Sequence, residues 1–450
     1  MLSRIYGLEH EYGLIFSGRG SSTVSVESAL GYLFDGLATR QSGSNVFLPN
    51  GGRLYQDTGC HPEYATPECR NPRELVAHDK AGERIMEQLM LRAEKELARR
   101  GLRGNLFVFK NNTDSVGNTY GCHENYLVDR RCEFHRLSER LIPFLVTRQV
   151  FTGAGKILRA PAGCRYVISQ RAQHICQRIA SVTTNSRSIV NTRDEPHADP
   201  EKYRRLHLIV SDSNMSELSE YLKVATTGIV LTLLEEDARV RDLQLQEPVH
   251  ALREVSNDLT CRKLLRLANG KMMTAVQIQK VYVELAVAFF SRTGADEETA
   301  HALRTWADVL ESLEDPRSLN GQVDWVTKKV LLDAYTERSG LELADPRVAM
   351  IDLQYHDIRR DRGLYYLLER RGHVARVASD EQIERAMEDP PEDTRALLRG
   401  KFVRAAERAR RSYTVDWSYV RLNDRFGSTV ICKNPFASQD SRIEFLLSSI

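Results

Sequence analysis

The chain has 450 residues, 42% hydrophobic and 28% charged, with a formal net charge of +2. That composition is globular, with enough length for a large core and two or three domains. The near-neutral balance excludes a global field for nucleic acid or a membrane surface. Eight cysteines, at 60, 69, 122, 132, 164, 176, 261 and 432, form no CxxC pair, which is the pattern of reduced thiols in a cytosol. Cys60-His61, Cys69 and Cys122-His123 match no structural zinc spacing. The first residues carry no apolar signal region, and no apolar run approaches the ~18 residues of a membrane span, so a cytoplasmic protein is expected.

Arg4 to Phe16, RIYGLEHEYGLIF, alternates as a strand. Tyr6, Leu8, Tyr12, Leu14 and Phe16 share an apolar face, and Glu9 and Glu11 share the other, flanked by Gly7 and Gly13. Two carboxylates at i and i+2 lie about 7 Å apart and repel unless a cation sits near them. The glycines leave room for a ligand against the backbone. Val24 to Thr39 reads as an amphipathic helix with Leu30, Leu33, Phe34 and Leu37 inward, and Asn45 to Leu48 then pairs back across an Asn50-Gly51 turn.

The stretch Gly51 to Glu68, GGRLYQDTGCHPEYATPE, puts Arg53, Tyr55 and Asp57 on one strand face, with His61, Glu63 and Glu68 close behind. A solvated edge strand would show the same polarity. Taken with Glu9 and Glu11, however, two strands with acidic, unbulky faces suggest a sheet that holds a divalent metal and a phosphorylated group. Hard oxygen ligands of this kind suit Mg²⁺.

Asn71-Pro72 opens a helix to Gly101, capped by Asn71 with Glu74 at the capping-box position. Its stripe of Leu75, Val76, Ile85, Met86, Leu89 and Ala93 is expected to face the back of the sheet. Leu106 to Lys110 and Tyr120 to Val128 read as strands. The second carries Glu124 and His123, candidates for a metal, although hydrogen bonding within the fold is the favoured role. GAGK at 153–156 lacks the upstream glycine and the following Ser or Thr of a phosphate loop. Arg193, Arg204, Arg205 and His207 form a second polar constellation suited to phosphate or carboxylate oxygens. Helices are expected at Glu217–Leu234, Ala275–Phe290, Glu298–Leu313 and Trp325–Arg338, and Tyr355 to Gly363, YHDIRRDRG, as a basic loop. After a break near Asp389-Pro390-Pro391, a helix over Thr394–Arg411, strands over Tyr413–Leu422 and Ser428–Lys433 and a helix over Asp440–Ser449 form a small α/β unit containing Trp417.

Five blocks carry a resemblance: GLEHEYG, NGGRLYQDTGCHPEYATPEC, KNNTDSVGNTYGCHENYL, NTRDEPHAD with RRLH, and YHDIRRDRG. Together with the TVDW strand they resemble, over nearly the whole length, the Pup ligase/depupylase family, which is related to glutamine synthetase-type carboxylate–amine ligases. The resemblance implies an α+β fold, a curved antiparallel β-sheet cradle backed by helices, over residues 1–388. It implies a small C-terminal domain over residues 389–450 that contributes to the nucleotide site. Depupylases carry a long insertion before the NGxRLY strand, and the dozen or so residues from Leu37 to Leu48 leave no room for it. GCHENY and SVTTNSR (Ser181 to Arg187) also resemble the ligase branch. His10, between the two acids, departs from the small residue usual there.

On that resemblance, ATP phosphorylates the γ-carboxylate of the C-terminal glutamate of Pup, a small disordered acidic protein tag. A target lysine then attacks the γ-glutamyl phosphate. Glu9, Tyr55 and Glu63 would be the Mg²⁺ ligands, Arg53, Thr66 and Trp417 would contact ATP, and Asp57 would take the lysine proton. Glu11, His61, Arg204, Arg205 and His207 are further candidates. An ordinary aspartate, near pKa 3.9, is a weak base for an ammonium near 10.4. Desolvation of the lysine and the growing acidity of the amine as it bonds to carbon make the transfer workable. The alternatives are the depupylase/deamidase, a small-molecule glutamate–amine ligase, which would not share the long blocks, and a silent ATP-binding adaptor, which would have no need of the full acidic set.

Overall fold

In the computed structural model of the chain, which describes residues 4–37, 41, 45–57, 59–114, 116–160, 163–181, 187–237, 242–425 and 427–450, the alternating N-terminal segment forms two strands rather than one. Thr39, much of the 37–48 connection and the interior of the 181–187 stretch lie outside the described residues. β1 (Tyr6–Glu11) ends where the Tyr12 N–H donates to the Pro62 carbonyl at 2.9 Å. β2 (Gly13–Gly18) then pairs with a different partner, from Gly13 opposite Phe109 to Gly18 opposite Gly104. The predicted first helix forms over α1 (Val26–Phe34), with Ala29, Leu30 and Leu33 buried.

The chain divides into two compact units, one of residues 5–109, 195–203 and 378–450, the other of residues 110–194 and 204–377 with Arg4. In the first unit β3 (Val46–Phe47), β4 (Arg53–Asp57) and β5 (His61–Ala65) join β1 in the order β3-β4-β5-β1, every pair antiparallel. The turn before β4 uses Gly51 at φ 81, a left-handed position that glycine occupies without strain. A Cβ on it would stand 3.0 Å from that of Ala396.

Behind this sheet lies α2 (Pro72–Arg99), whose N-terminus is capped by Asn71 accepting from the Arg73 and Glu74 N–H groups. Leu75, Val76, Met86, Leu89 and Ala93 are buried as predicted, while Ile85 is half-buried. The helix comes close because Gly82 leaves space for the buried Tyr64 ring of β5, and a Cβ there would sit 2.2 Å from a ring carbon. His10, on the same rear face of β1, pairs with Asp79 of α2 at 3.1 Å. β6 (Gly104–Phe109) completes the pairing with β2.

The C-terminal part has a helix at Ala396–Arg408 and three antiparallel strands, Tyr413–Asp416, Tyr419–Leu422 and Thr429–Ile431, followed by a helix at Ser441–Ser448. The stretch read as one strand, Tyr413 to Leu422, is a hairpin that turns at Trp417-Ser418. Its core, including Phe402, Tyr413, Val420 and Ile443, takes in Phe47 of β3.

In the second unit β7 (Cys122–Asp129) lies beside strand Tyr203–Leu208, followed by Ser188–Asn191 and Gln177–Ala180, the last two parallel. Glu124 is fully buried against Arg148, at 3.0 Å from Nη1, and accepts from Ser211, which is the internal role favoured from the sequence. After β7 comes α3 (Phe134–Thr147). Helix Glu217–Glu235 is buried on almost every side rather than along a stripe. The other expected helices form at Ala275–Thr293, Glu297–Ser312 and Asp324–Ser339, and a further one at Pro248–Asn257. GAGK forms a turn into strand Lys156–Ala160, with the Gly155 N–H donating to Ile168 O at 2.7 Å. The basic loop at 355–363 is internally paired, Asp357 with Arg362 at 2.6 Å and Arg359 with Asp361 at 2.8 Å. Among the described residues no helix is long and apolar enough to cross a membrane.

The Gly82 contact sets a helix gain against a steric cost. Alanine gains about 1 kcal/mol of helix propensity over glycine, but overpacking a filled contact costs about 1–3 kcal/mol. Gly82→Ala is expected to lower stability in urea melts; equal or greater stability would show that Tyr64 does not fix the helix-to-sheet distance.

Candidate active site

The register of three strands builds the site. Glu11 of β1 stands opposite Glu63 of β5, which stands opposite Tyr55 of β4. In the next row Glu9 faces Ala65, and Ala65 faces Arg53; on the other side Asp57 faces His61. Directly opposed residues point to the same side of a sheet. Glu9, Glu11, Arg53, Tyr55, Asp57, His61 and Glu63 therefore share one face, and His10, Leu54 and Tyr64 share the face turned to α2.

The carboxylates of Glu11, Asp57 and Glu63 offer oxygens all within 4.8 Å of one another, and those of Glu9 and Glu63 come equally close. Burial, first, and then the charges of Glu9, Glu11 and Asp57 push the Glu63 carboxyl well above the usual carboxylate range. The Tyr55 hydroxyl donates to Glu63, and burial together with Glu9 and Glu63 keeps that phenol protonated far beyond its ordinary range. Such a set is repulsive by itself and is relieved by a cation, and its oxygen donors fit Mg²⁺.

Arg53 borders the acids. Its guanidinium lies 3.8 Å from the Tyr55 ring centroid and 5.3 Å from that of Trp417. Its Nε is buried with no hydrogen-bond partner among the described residues, which leaves a donor for a ligand oxygen. The buried Thr66 accepts the Leu8 N–H at 3.0 Å and keeps its own hydroxyl proton to donate. His61 meets the Tyr12 carbonyl through Nδ1 at 3.0 Å, so that nitrogen is the protonated one and holds the end of β1.

The second constellation divides. Arg205 Nη1 and His207 Nδ1 converge on Asn125 Oδ1 at 3.0 and 2.9 Å, and the His207 ring stands edge-on to His123 at 5.0 Å. Arg204 points elsewhere, 3.6 Å from Asp194 and over the Phe134 ring at 4.5 Å.

Sequence reasoning placed Glu68 among the acids and passed over what holds it. Arg395 Nε meets it at 2.7 Å and Arg399 Nη1 at 3.1 Å, and these two guanidiniums, despite the opposing effect of burial, bring its carboxyl down to about 2. The i, i+4 spacing of Arg395 and Arg399 on one helix face was the available signal.

A family profile described as Pup-ligase protein matches residues 4–421. The chain belongs to that family. It is 52% identical over 449 residues to a Pup–protein ligase of Acidimicrobium ferrooxidans, covering 99% of both chains. Among solved structures it is similar to the ligase PafA in complex with the prokaryotic ubiquitin-like protein Pup, at TM-score 0.94 and 41% identity, over 99% of this chain and 92% of that one. It is also similar to PafA in complex with ADP, at TM-score 0.86 and 41% identity, over 97% and 96% of the two chains. This likeness accords with the α+β fold expected from the family resemblance.

The raised Glu63 carboxyl carries a prediction for this Pup-ligase family member. A group protonated more readily in the folded than in the unfolded state costs nothing below its unfolded pKa, and an increasing amount as pH rises above it. Without divalent metal, Glu63→Gln is therefore expected to raise the melting temperature at pH 8 and to leave it unchanged near pH 4, while abolishing ligation. A variant less stable at pH 8 would contradict the repulsion.

Proposed function

We propose that the protein is the ATP-dependent ligase that joins the γ-carboxylate of the C-terminal glutamate of Pup to lysine side chains of target proteins, marking them for the proteasome. The observation that carries this reading is the single sheet face on which Glu11, Asp57 and Glu63 converge beside Arg53 and Trp417. Family membership supplies the substrate class. The relatives named above are ligases rather than depupylases, one of them holding Pup and another ADP, which supports the same choice.

The residues divide the work. Arg53 and Trp417 border the nucleotide, Arg53 offering its buried donor to phosphate oxygens and Trp417 a ring wall; Thr66 adds a hydroxyl. Glu9, Tyr55 and Glu63, with Glu11 beside them, would hold Mg²⁺, which when bound neutralises phosphate charge. Arg205 and His207, gathered on Asn125, suit an anionic oxygen. Phosphoryl transfer from ATP to the glutamate γ-carboxylate releases ADP. The lysine nitrogen then attacks that carbonyl, Asp57 takes its proton, and inorganic phosphate leaves as the isopeptide bond forms. Asp57 is half-buried at the end of β4, reachable by an incoming chain. Residues 389–450 form the small C-terminal domain that brings Trp417. A cytoplasmic location accords with eight free thiols.

The test is a gel-shift assay with ATP, Mg²⁺, glutamate-ended Pup and a lysine-bearing target. A slower band that needs ATP is expected, and Asp57→Asn should cut its rate by at least about 100-fold while ADP still binds. Cleavage of a preformed conjugate without ligation would overturn the reading in favour of the depupylase, and normal ligation by Asp57→Asn would remove that residue's role.

A further inference from the structure

Trp417 lies outside any regular strand, at the turn of a surface hairpin, yet its ring has defined walls. Phe47 of β3 meets it edge-on at 5.1 Å and 83°, and the Arg399 guanidinium stands 4.8 Å from its centroid. The same guanidinium donates to the Trp417 carbonyl at 3.2 Å and to the Gly51 carbonyl at 2.8 Å, and it pairs with Glu68. Gly51 is in the turn that launches β4, and Glu68 follows β5. One buried arginine, 2% exposed, thus ties the start of the Arg53 strand to the ring Arg53 faces.

Arg395 is the natural comparison. It pairs with the same Glu68 and is as deeply buried, but its other bonds go to the His197 and Cys432 carbonyls. It touches neither the Trp417 ring nor the β4 turn through any of these bonds.

We propose that Arg399 is a positioning residue for the nucleotide: by clasping the Gly51 carbonyl, Glu68 and the Trp417 carbonyl and ring together, it holds Trp417 at a fixed distance from Arg53 and so sets affinity for ATP. Lysine cannot replace it. A guanidinium presents several donors in a rigid plane, which here reach three acceptors while its face covers a ring, whereas an ammonium is a point charge. The proposal rests on the reading of Trp417 as a nucleotide contact.

The experiment measures ADP affinity by calorimetry, KM for ATP and kcat for Pup ligation, and the melting temperature, in the full chain. Arg399→Lys is expected to weaken ADP binding and raise KM for ATP by about tenfold with kcat changed less than about twofold. Phe47→Leu, which removes the other ring wall and keeps a buried apolar side chain in that core, should move KM in the same direction. Arg395→Lys should lower the melting temperature comparably and leave KM unchanged. Combining Arg399→Lys with Trp417→Ala should raise KM no further than Trp417→Ala does alone, because both act through one ring.

If Trp417→Ala leaves ADP affinity intact, the nucleotide role of that ring is wrong and the proposal falls with it. If Trp417→Ala weakens ADP but Arg399→Lys and Phe47→Leu do not, Trp417 keeps its role and the positioning by Arg399 is overturned. Equal KM effects from Arg395→Lys and Arg399→Lys would reduce both to general supports of the fold.

Discussion

Carboxylates that repel are held within 4.8 Å of one another on a surface that cannot spread to separate them. The force that keeps them there comes from behind. Tyr64 is clamped between β5 and the gap at Gly82, and the His10–Asp79 pair ties β1 to the same helix. The rear face of the sheet is close-packed where Tyr64 meets Gly82, so it resists the strain stored on the front. The acidic face is thus unstable on its own terms, and the helix behind it makes it possible.

A second layer of constraint is electrostatic. Glu68 lies in sequence just past the acidic face but belongs to a different arrangement, with its carboxyl neutralised by two guanidiniums from a helix more than 300 residues later. A buried carboxylate with one such partner breaks about even against its desolvation; with two, and its oxygens fully bonded, the charge is secured. The acids of the chain therefore divide by environment. Those at Glu11, Asp57 and Glu63 gather beside one another on the sheet, and that at Glu68 is matched by Arg395 and Arg399 and serves the scaffold.

Much of this was legible in the residues. Alternation put Glu9 and Glu11 on one face and Arg53, Tyr55 and Asp57 on another, and pairing placed the two faces on the same side. The cap at Asn71 and the stripe of α2 were equally plain, because both are local. What escaped depends on partners far along the chain. The period-2 pattern runs through Tyr12 without a break, so nothing in it marks where β1 ends and β2 leaves for β6. TVDWSYVRL keeps its strand propensity through the Trp417 turn and lacks the glycine or proline that would announce it. Arg395 and Arg399 lie in the stretch expected as a helix over Thr394–Arg411, and a buried arginine is recognised only with its acid in view. Arg204 and Arg205 are neighbours whose opposite directions follow from the pleat, yet which of them faces Asn125 depends on the pairing with β7.

The unit that carries the acidic face is assembled from the beginning and the end of the chain, residues 5–109 with 378–450. Phe47 is part of a core whose other members, such as Phe402 and Ile443, are more than 300 positions away. On a ribosome adding about 5–20 residues per second, roughly 15–60 s pass between emergence of the β4–β5 hairpin and arrival of the residues that enclose it. Through that interval the β4–β5 hairpin lacks the residues that complete the core around Phe47. The core of this unit is therefore completed only when synthesis is nearly finished.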